Sequence, residues 1–519
     1  MINKVNREIP QEIEGLEKLL PFRGFKGQIK DIQRLKERQV SENRKKFLPS
    51  IEKAILETGL KDGMTISFHH HFRNGDYIIN MVMEVIAKLG IKDIVLASSS
   101  LTKIHSSLIE HIKNGVIRRI ETSGLRGELA VAISEGLMDI PVCLRSHGGR
   151  ARAISTDELH IDVAFLGVPS CDAYGNANGY SRENSAASAC GSLGYAKIDA
   201  QYADQVVLIT DNIVGYPNVP FAIPQSQVNY IIKVDSIGDP KGIMSGATRF
   251  TKNPKDLLIA KHAADVIEAS GYFEEGFSLQ TGSGGASLAT TRFLKEKMIK
   301  KGIKASFALG GITGQIVNLH EEGLIKKLLD VQSFDLKAVE SLKNNRFHYQ
   351  IDASYYANPD KEGSAVNQLD IVVLSALEID KDFNVNVMTG SDGVIRGAIG
   401  GHCDTAAGAS VAIVVAPLMR GRMPTILDRV NTIVTPGNTV DILVTDQGIA
   451  VNPLRKDLLA NLSSAKIPIY SIEELQEKAE RLVGKPEPIR VKDKIVGVVT
   501  YRDGSVIDVV RQIDRERQF

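Results

Sequence analysis

The feature that most restricts the fold is a repeated alternation of strand-like and helix-like segments, which begins near residue 50. In the first half, the strand-like runs MTISFHHHF and DIVLASSS separate the helix-like runs SIEKAILETGL, YIINMVMEVIAKLG and SSLIEHIKNGVI. In the second half, FSLQTG and ASFALGG separate DLLIAKHAADVIEASG, ASLATTRFLKEKMIKKG and GLIKKLLD. Strands that alternate with helices of this length are typical of βαβ units, which build largely parallel sheets. The sequence therefore predicts an α/β fold.

The order of segments is the same in both halves, and a chain of 519 residues is too long for one ordinary core. We therefore predict two tandem open α/β domains. The turn residues of VDSIGDPKGIMSG favour a boundary that gives a first domain of residues 49–235 and a second of residues 236–519. Residues 1–48 are predicted to form a charged helical arm. Asp503-Gly504, between two alternating apolar runs, predicts a C-terminal hairpin within the second domain.

The composition argues against several functional classes. The chain is 43% hydrophobic and 24% charged, with a formal net charge of +1 and no basic tract, which disfavours nucleic-acid binding. No apolar run reaches the roughly 18 residues of a spanning helix, and the N-terminus lacks a signal-peptide core, so a cytoplasmic location without membrane contact is expected. The four cysteines are scattered without a CxxC pair, and neither a zinc site nor a disulfide framework is predicted.

Two glycine turns follow strand-like runs in the second half. The first contains Gly282, Ser283, Gly284 and Gly285, and the second contains Gly310, Gly311, Thr313 and Gly314. A glycine turn between strand and helix lets backbone N–H groups point at an oxygen anion. Neither turn has the spacing of a P-loop or of a dinucleotide-binding GxGxxG motif. The turns are predicted to form an anion or oxyanion site, and the alternative is that each is only a tight corner.

Polar side chains also cluster at a strand end of the first half. The run His69, His70, His71 precedes Arg73, and alternation places His69 and His71 on one face of the strand. No further ligand at a suitable spacing supports a metal site. Because open α/β sheets bind ligands at the carboxyl ends of their strands, His69, His71 and Arg73 are predicted to contact a polar substrate. The alternative is that the histidines lie in the core.

Two further clusters combine glycines with ionisable side chains. Arg145 and Arg150 lie in LRSHGGRARAIS, and guanidinium groups bind carboxylates bidentately, so a polycarboxylate or a phosphate is a candidate ligand. Surface solvation is the alternative. In GAIGGHCDTAAG, Gly401 precedes His402, which is a candidate acid–base group with Asp404 as its orienting partner. A satisfied polar turn is the alternative here, and no GxSxG or Cys-His protease signature is present.

Several strings in the sequence resemble the CoA-transferase superfamily and, within it, the family of citrate lyase alpha subunits. They are LPFRGFKG, TISFHHHFRNGDYIIN, CGSLGYAKIDAQYAD, FSLQTGSGGASLA and VNTIVTPGNTVDILVTDQGIAVNPLR. The resemblance implies a transferase with its active site between two CoA-transferase-like α/β domains. The implied reaction exchanges acetyl for citryl on the thiol of an acyl carrier protein and releases acetate.

The resemblance also implies partners for this chain. They are citrate, the acyl carrier protein (gamma) subunit and the lyase (beta) subunit, which cleaves the citryl thioester. The carrier's prosthetic group derives from dephospho-CoA, and CoA thioesters are its analogues. No tightly bound cofactor and no metal are expected.

One departure from the superfamily concerns the mechanism. Many CoA-transferases form an enzyme thioester on a Glu that follows a second-domain strand, whereas the corresponding turn here, residues 310–314, has no carboxylate. Direct attack of a citrate carboxylate on the acetyl thioester is therefore expected. The predicted catalytic group is Gly284, Gly285, Gly311, Thr313, Gly314 and His402. The predicted substrate-binding group is His69, His71, Arg73, Arg145, Arg150, Gly282, Ser283, Gly310, Gly401 and Asp404. The alternatives are an acyl-CoA transferase that acts through Glu183 and a non-catalytic ligand sensor.

Overall fold

A computed structural model describes residues 46–184, 187–244, 251–282, 284–463 and 467–514. Two large and mostly parallel sheets organise this part of the chain, and smaller sheets of two or three strands accompany them. The predicted α/β class is therefore confirmed. The predicted arm, residues 1–48, lies almost entirely outside the described residues.

The first large sheet contains ten of the described strands. In spatial order they are Phe47–Leu48, Tyr230–Lys233, Gln205–Thr210, Val163–Gly167, Thr65–Phe68, Ile94–Ser98, Ile117–Thr122, Val142–Leu144, Val491–Thr500 and Val506–Ile513. Neighbouring strands are parallel, apart from the last two, which form an antiparallel hairpin.

The second large sheet contains nine of the described strands. In spatial order they are His348–Gln350, Leu328–Ser333, Phe307–Ile312, Ser278–Thr281, Ile371–Ser375, Val411–Val415, Ile442–Thr445, Gly448–Val451 and Ile469–Tyr470. Its pairs are also parallel, apart from Ile442–Thr445 with Gly448–Val451.

Helices connect the strands of both sheets. They are Ile51–Thr58, Ile78–Lys88, Leu108–Lys113, Glu128–Ser134, His147–Ser155, Gly194–Tyr202, Pro254–Ala269, Gly285–Lys301, Gly314–Glu321, Leu336–Asn344, Ala353–Ala357, His402–Gly408, Lys456–Leu462 and Ile472–Val483. The small sheets consist of Ile213–Val214, Ser170–Asp172 and Ala177–Asn178; of Val385–Asn386, Glu378–Asp380 and Ile426–Leu427; and of Met419–Arg420 and Met423–Pro424. None of the described helices combines the length and the apolar character needed to cross a membrane.

Both large sheets are wound in the same order. Each sheet has one interior strand from which we follow the order, Thr65–Phe68 in the first and Ser278–Thr281 in the second. The three strands of the sheet that come next in the sequence all lie to one side of it. The strands after these extend the sheet to the other side, beginning with Val163–Gly167 or Ile371–Ser375, and among the described strands the C-terminal hairpin alone returns to the first side. The direction of winding therefore reverses beside each interior strand. Ligands bind at the carboxyl ends of strands at such reversal points, so the residues after Phe68 and Thr281 are expected at a ligand site.

Many strands of the two large sheets are apolar, because helices cover the parallel sheets on both faces. Val411–Val415, for example, is buried at every position. One large hydrophobic cluster includes buried residues of both halves, such as Phe165 and Leu374, and a second cluster lies within residues 259–462. The predicted boundary at residue 235 stays a prediction, since the larger cluster extends across it.

The predicted C-terminal hairpin is present, with Gly504 at a φ of 87° in its turn. Its position differs from the prediction, which places it in the second domain. The strand Val491–Thr500 pairs in parallel with Val142–Leu144 of the first sheet. This pairing satisfies backbone groups that an edge strand would otherwise expose. The hairpin signal is local in sequence, whereas the choice of sheet depends on residues far along the chain.

Candidate active site

Residues that follow both interior strands line one cavity of about 340 Å³. His70 and Arg73 come after Thr65–Phe68, and Gly282 and Gly284 come after Ser278–Thr281. The other lining residues come from both halves of the chain. They are Ser100, Thr102, Ser123, Arg126, His147, Tyr195, Gln280, Thr281, Gly311, Val331, Gln332, Phe334, Tyr356, Leu374, Ser375, Val387, Ala398, Ile399, Gly400, Gly401 and His402.

The cavity has positive charge without an acidic neighbour. Arg73 and the more exposed Arg126 line it, whereas no Asp or Glu among the described residues does so. The Arg73 guanidinium lies 4.8 Å from the centre of the Phe334 ring and donates to the Ile243 carbonyl oxygen at 3.4 Å. Burial and the nearby Arg126 lower the pKa of Arg73 to about 10. Since neither arginine has an ion-pair partner in the described part of the chain, an anionic ligand would supply one.

The backbone at Arg73 is held in an unusual conformation. Its φ of 53° is in the left-handed region, which costs a residue with a side chain about 1–3 kcal/mol unless the surroundings fix it. The segment 237–243 packs on this turn, and the N–H of Asp239 donates to the Gly75 carbonyl oxygen at 2.9 Å. A Cβ at Gly75 would lie 1.9 Å from the Asp239 carbonyl oxygen, so only glycine permits this contact. The packing therefore fixes the turn that places Arg73 at the cavity.

Two uncharged imidazoles and a tyrosine ring form one wall of the cavity. The Tyr195 ring centre is 5.4 Å from that of His70 and 4.4 Å from that of His147. Ser99 Oγ accepts the backbone N–H of His70 at 3.2 Å and lies 2.5 Å from His70 Nδ1. The backbone N–H and the Nδ1 atom of His70 therefore both bind the same serine hydroxyl group. Burial and neighbouring basic groups hold the pKa of His70 well below its usual range and lower that of His147 to about 3.

A second wall contains Gln280 and Tyr356. The Nε2 of Gln280 donates to the Tyr356 hydroxyl oxygen at 2.9 Å. Gly310 has a φ of 96°, and a Cβ there would lie 2.7 Å from the Gln280 Cδ; a Cβ at Gly401 would lie 2.4 Å from the Tyr356 hydroxyl oxygen. Both glycines therefore make room for this pair. Gly401, which is predicted to bind substrate, lines the cavity, whereas Gly310 lies behind Gln280 and does not.

Only some of the glycines whose backbone N–H groups are predicted to hold an oxyanion lie at the cavity. Gly284 and Gly311 line the cavity. The N–H of Gly314, however, donates to Asp335 Oδ2 at 2.6 Å, and Gly314 does not line the cavity. The structure contradicts the prediction for Gly314, because a carboxylate that also caps the helix Leu336–Asn344 already occupies its N–H group.

The other residues of the two glycine turns differ from the prediction in separate ways. Gly282 lines the cavity, but its N–H donates to the Val373 carbonyl oxygen at 2.8 Å. Gly285 begins a helix and does not line the cavity. Thr313 is buried away from it, and its hydroxyl has no partner among the described residues. Ser283 lies outside the described residues.

His402 lines the cavity, but the predicted acid–base pair with Asp404 is contradicted. Its Nε2 lies 3.0 Å from the Ser375 carbonyl oxygen, and its Nδ1 lies 2.7 Å from Thr435 Oγ1. Because a carbonyl oxygen only accepts, Nε2 has the proton and Nδ1 accepts from the threonine hydroxyl. Burial lowers the pKa of His402 to about 4. Both nitrogens of this neutral ring are therefore occupied.

Asp404 binds residues of the first half instead of a substrate. Its carboxylate accepts from Ser146 Oγ and from the Gly148 N–H, each at 2.9 Å, and lies 3.6 Å from Arg502 Nε. Burial raises the pKa of Asp404 to about 6, although Arg502 opposes the shift. The predicted substrate contact is contradicted, since this fully buried carboxylate does not line the cavity.

His69 and His71 share a face, as alternation predicts, with ring centres 5.4 Å apart. That face belongs to the core. The Nε2 atoms of His69 and His71 donate to the carbonyl oxygens of Gly167 and Ile237 at 2.8 and 3.0 Å. The prediction of substrate contact is therefore contradicted for both, and the core alternative holds. Of these three consecutive histidines, His70, on the opposite face, lines the cavity.

Arg145 and Arg150 do not line the cavity, which contradicts their predicted role. Arg145 donates to Glu121 at 2.7 Å and to Glu158 at 2.8 Å. Arg150 donates to the fully buried Asp199 at 2.8 Å. Their guanidinium groups already have carboxylate partners from the same chain and are not available to a substrate.

Glu183, the nucleophile of the alternative mechanism, is also outside the cavity. Its side chain is exposed, and its carboxylate accepts from the N–H of Gly215 at 2.9 Å. Glu183 therefore does not lie at this site, although its local sequence resembles that of a catalytic glutamate.

The lining residues that the sequence-based site lacks include Arg126, His147, Tyr195, Gln280 and Tyr356. A signal existed for Gln280, because a long polar side chain inside a buried strand needs a partner. The others lie in a loop or on helices, where no periodicity distinguishes them from ordinary polar or core residues.

Comparisons with known proteins identify the family. The family described as citrate lyase, alpha subunit (CitF) matches residues 44–513. The citrate lyase alpha chain of Klebsiella pneumoniae is 61% identical over 469 residues, which cover 90% of this chain and 92% of that one. A solved structure from Streptococcus mutans, described as an alpha subunit of citrate lyase in complex with citrate, is 62% identical with a TM-score of 0.88. That match covers 91% of this chain and 92% of the other.

A more distant solved structure shares the fold alone. The 4-hydroxybutyrate CoA-transferase of Porphyromonas gingivalis is 17% identical, with a TM-score of 0.53 over 86% of this chain and 99% of its own. The predicted CoA-transferase-like fold is therefore confirmed. Since the family match and relatives near 60% identity extend over most of its length, this chain is an enzyme subunit that belongs to the family of citrate lyase alpha subunits.

Proposed function

We propose that the cavity binds citrate and that the protein exchanges acetyl for citryl on the thiol of an acyl carrier protein. The observation that supports this most is the presence of Arg73 and Arg126 in a cavity with no acid among its described lining residues. A tricarboxylate supplies the missing negative charge, and guanidinium groups bind carboxylates bidentately. The Streptococcus mutans relative, described in complex with citrate, supports the same ligand.

The exchange consists of two acyl substitutions. A carboxylate oxygen of citrate attacks the carbonyl carbon of the acetyl thioester, the C–S bond breaks, and a thiolate and a mixed anhydride result. The thiolate then attacks the citryl carbonyl of the anhydride, and acetate leaves with its electron pair. Neither step consumes or releases a proton. The protein therefore has to supply positioning and stabilisation of charge.

Direct attack by citrate is favoured over an enzyme thioester. Among the described residues that line the cavity there is no carboxylate and no cysteine, so no such group is placed to accept the acetyl group. Glu183 is exposed elsewhere and bound to Gly215. These positions support the proposal that no acyl group becomes attached to the protein.

The acyl donor in this proposal is the dephospho-CoA-derived group of the carrier (gamma) subunit, and the citryl thioester passes to the lyase (beta) subunit. Both steps are substitutions at an acyl carbon, so they require no tightly bound cofactor. Acetyl-CoA is a convenient analogue of the acetylated carrier. The reaction is proposed to take place in the cytoplasm.

Citrate binding is tested by calorimetric titration of Arg73→Met and Arg126→Met. A hydrogen bond to a charged group contributes about 1.5–3 kcal/mol, so Arg73→Met is expected to raise the Kd by about 10- to 150-fold. Arg126 is more exposed, and Arg126→Met is expected to raise the Kd only about two- to fivefold. Arg292→Met is the control, since Arg292 is exposed and also lies near a ring, that of Phe293, outside the cavity. Equal Kd values for Arg73→Met and Arg292→Met would refute the site.

The exchange itself is tested with citrate, acetyl-CoA and the purified chain. Release of acetate together with a citryl thioester is expected, and citrate binding without exchange would favour the ligand sensor. Incubation with acetyl-CoA followed by hydroxylamine or borohydride is expected to leave the protein unmodified. Glu183→Gln is expected to retain the wild-type rate, and a trapped adduct at Glu183 would establish the covalent alternative.

A further inference from the structure

The pair of Gln280 and Tyr356 has a role that neither the family match nor the predicted glycine turns explain. Gln280 is in the interior strand Ser278–Thr281, at the point where the winding of the second sheet reverses. Tyr356 is on the short helix Ala353–Ala357 and has 2% of its surface exposed. Both side chains line the cavity. Burial of two polar side chains costs free energy unless each is hydrogen-bonded.

The position of the pair is closely fixed from two sides. Gly310 borders the amide of Gln280, where a Cβ would lie 2.7 Å from Cδ, and Gly401 borders the Tyr356 hydroxyl, where a Cβ would lie 2.4 Å away. Any side chain at either glycine would displace the pair. The two glycines thus act as spacers for a hydroxyl group that faces the cavity.

The hydroxyl proton of Tyr356 is free to bind a ligand. Because Gln280 Nε2 donates to the hydroxyl oxygen, that oxygen acts as the acceptor in this bond. With the Gln280 amide in this orientation, the O–H has no acceptor among the described residues, and the buried Gln280 Oε1 is also without a partner there. Burial raises the pKa of Tyr356, so the group keeps its proton. The result is an uncharged donor held at a fixed place in the cavity wall.

We propose that Tyr356 donates a hydrogen bond to the oxygen that becomes negatively charged when a carboxylate attacks the thioester, and that Gln280 positions it. The inference rests on the proposed function. During attack the carbonyl π electrons move to this oxygen, and they return when the C–S bond breaks and the thiolate leaves. The tyrosine keeps its proton throughout. A side-chain hydroxyl thereby takes over the role that sequence analysis assigns to Gly314, whose N–H is occupied by Asp335.

The test compares Tyr356→Phe with Tyr355→Phe in exchange assays with citrate and acetyl-CoA. Tyr355 is the adjacent residue, is 51% exposed and does not line the cavity, so its variant controls for loss of a tyrosine hydroxyl. Removal of one oxyanion donor lowers kcat by about 100- to 1,000-fold, and this loss is expected for Tyr356→Phe. The citrate Kd is expected to stay within about twofold, because the oxyanion is absent from the ground state. A wild-type kcat, or a loss confined to the citrate Kd, would overturn the assignment.

Gln280→Met provides a second test that leaves the hydroxyl in place. It removes the donor that orients Tyr356 while nearly preserving the shape of the side chain. An intermediate loss of kcat with an unchanged citrate Kd is expected, and an unchanged kcat would refute the positioning role. This variant also decides the question if Tyr356→Phe fails to fold. Failure of the proposed function has a different signature, namely a wild-type protein that exchanges no acyl group.

Discussion

Gly310→Ala is expected to damage the cavity from a position behind its wall. The backbone φ of 96° is in a region that alanine reaches at a cost of about 1–3 kcal/mol. The added Cβ would also lie 2.7 Å from the Gln280 Cδ, and overpacking of this kind costs about 1–3 kcal/mol. If Gln280 stays in place, the two effects lower the free energy of unfolding by about 2–6 kcal/mol. If Gln280 moves, its bond to Tyr356 is lost and the exchange slows.

Gly323→Ala is the matched control for this prediction. Gly323 has a φ of 75°, but no atom lies within 4 Å of the position that its Cβ would take. Gly323→Ala therefore has the free-energy cost of the left-handed backbone conformation without a steric contact of the added Cβ. Urea unfolding and acetyl-CoA exchange assays of both variants separate the two contributions. The reasoning is refuted if Gly310→Ala matches Gly323→Ala in stability and also exchanges acyl groups at the wild-type rate.

Three further predictions concern buried ionisable groups. The pKa of Asp404 is raised from 3.8 to about 6, so the folded state binds the proton more tightly than the unfolded state. The free energy of unfolding therefore decreases by about 3 kcal/mol as the pH rises through this window. Asp404→Asn is expected to remove that loss, which thermal unfolding across the window measures. His402→Gln is expected to destabilise the protein by about 1–3 kcal/mol per unsatisfied partner. It should not add or remove an ionisation in the pH profile of kcat, since the native pKa is about 4 and both nitrogens are occupied. Arg150→Met leaves Asp199 buried without its guanidinium partner and is expected to lower the free energy of unfolding by about 3–5 kcal/mol, while calorimetry on the folded variant gives the wild-type citrate Kd.

The sequence predicts where individual strands and helices lie better than it predicts which strands are neighbours in a sheet. Alternation and glycine breaks locate Thr65–Phe68, Ser278–Thr281 and the helices that follow, because these signals depend on residues a few positions apart. The sheet that the hairpin Val491–Thr500 joins depends on a contact with Val142–Leu144, which local periodicity does not record. The common winding order of the two sheets also becomes visible only when the strand neighbours are known.

At the three histidines, the prediction is wrong about which face of the strand reaches the site. Alternation correctly groups His69 with His71 and separates His70. It gives no reason to prefer either face, because a parallel sheet is covered on both sides. Only the packing shows that the carbonyl groups of Gly167 and Ile237 take the first pair into the core.

The arginines show a similar limit of local sequence. A guanidinium is available to a substrate only when the fold brings it no carboxylate. Arg150 meets Asp199, which is 49 positions away, whereas Arg73 and Arg126 meet no described acid. Residue type alone favours a binding role for each of them, and long-range partners decide which ones can fulfil it.

The glycines around the cavity have two physical explanations that a sequence does not distinguish. They let a backbone N–H approach an anion, or they leave space for a neighbouring side chain. The second explanation accounts for Gly310 and Gly401, where added Cβ atoms would lie 2.7 and 2.4 Å from Gln280 and Tyr356. The side chains that gain this space are neutral donors, and the charge in the cavity comes from arginines. When a carboxylate replaces a thiolate and a thiolate then replaces a carboxylate, no proton has to move. Fixed positive charge and uncharged donors therefore suit this exchange better than a group that titrates near neutral pH.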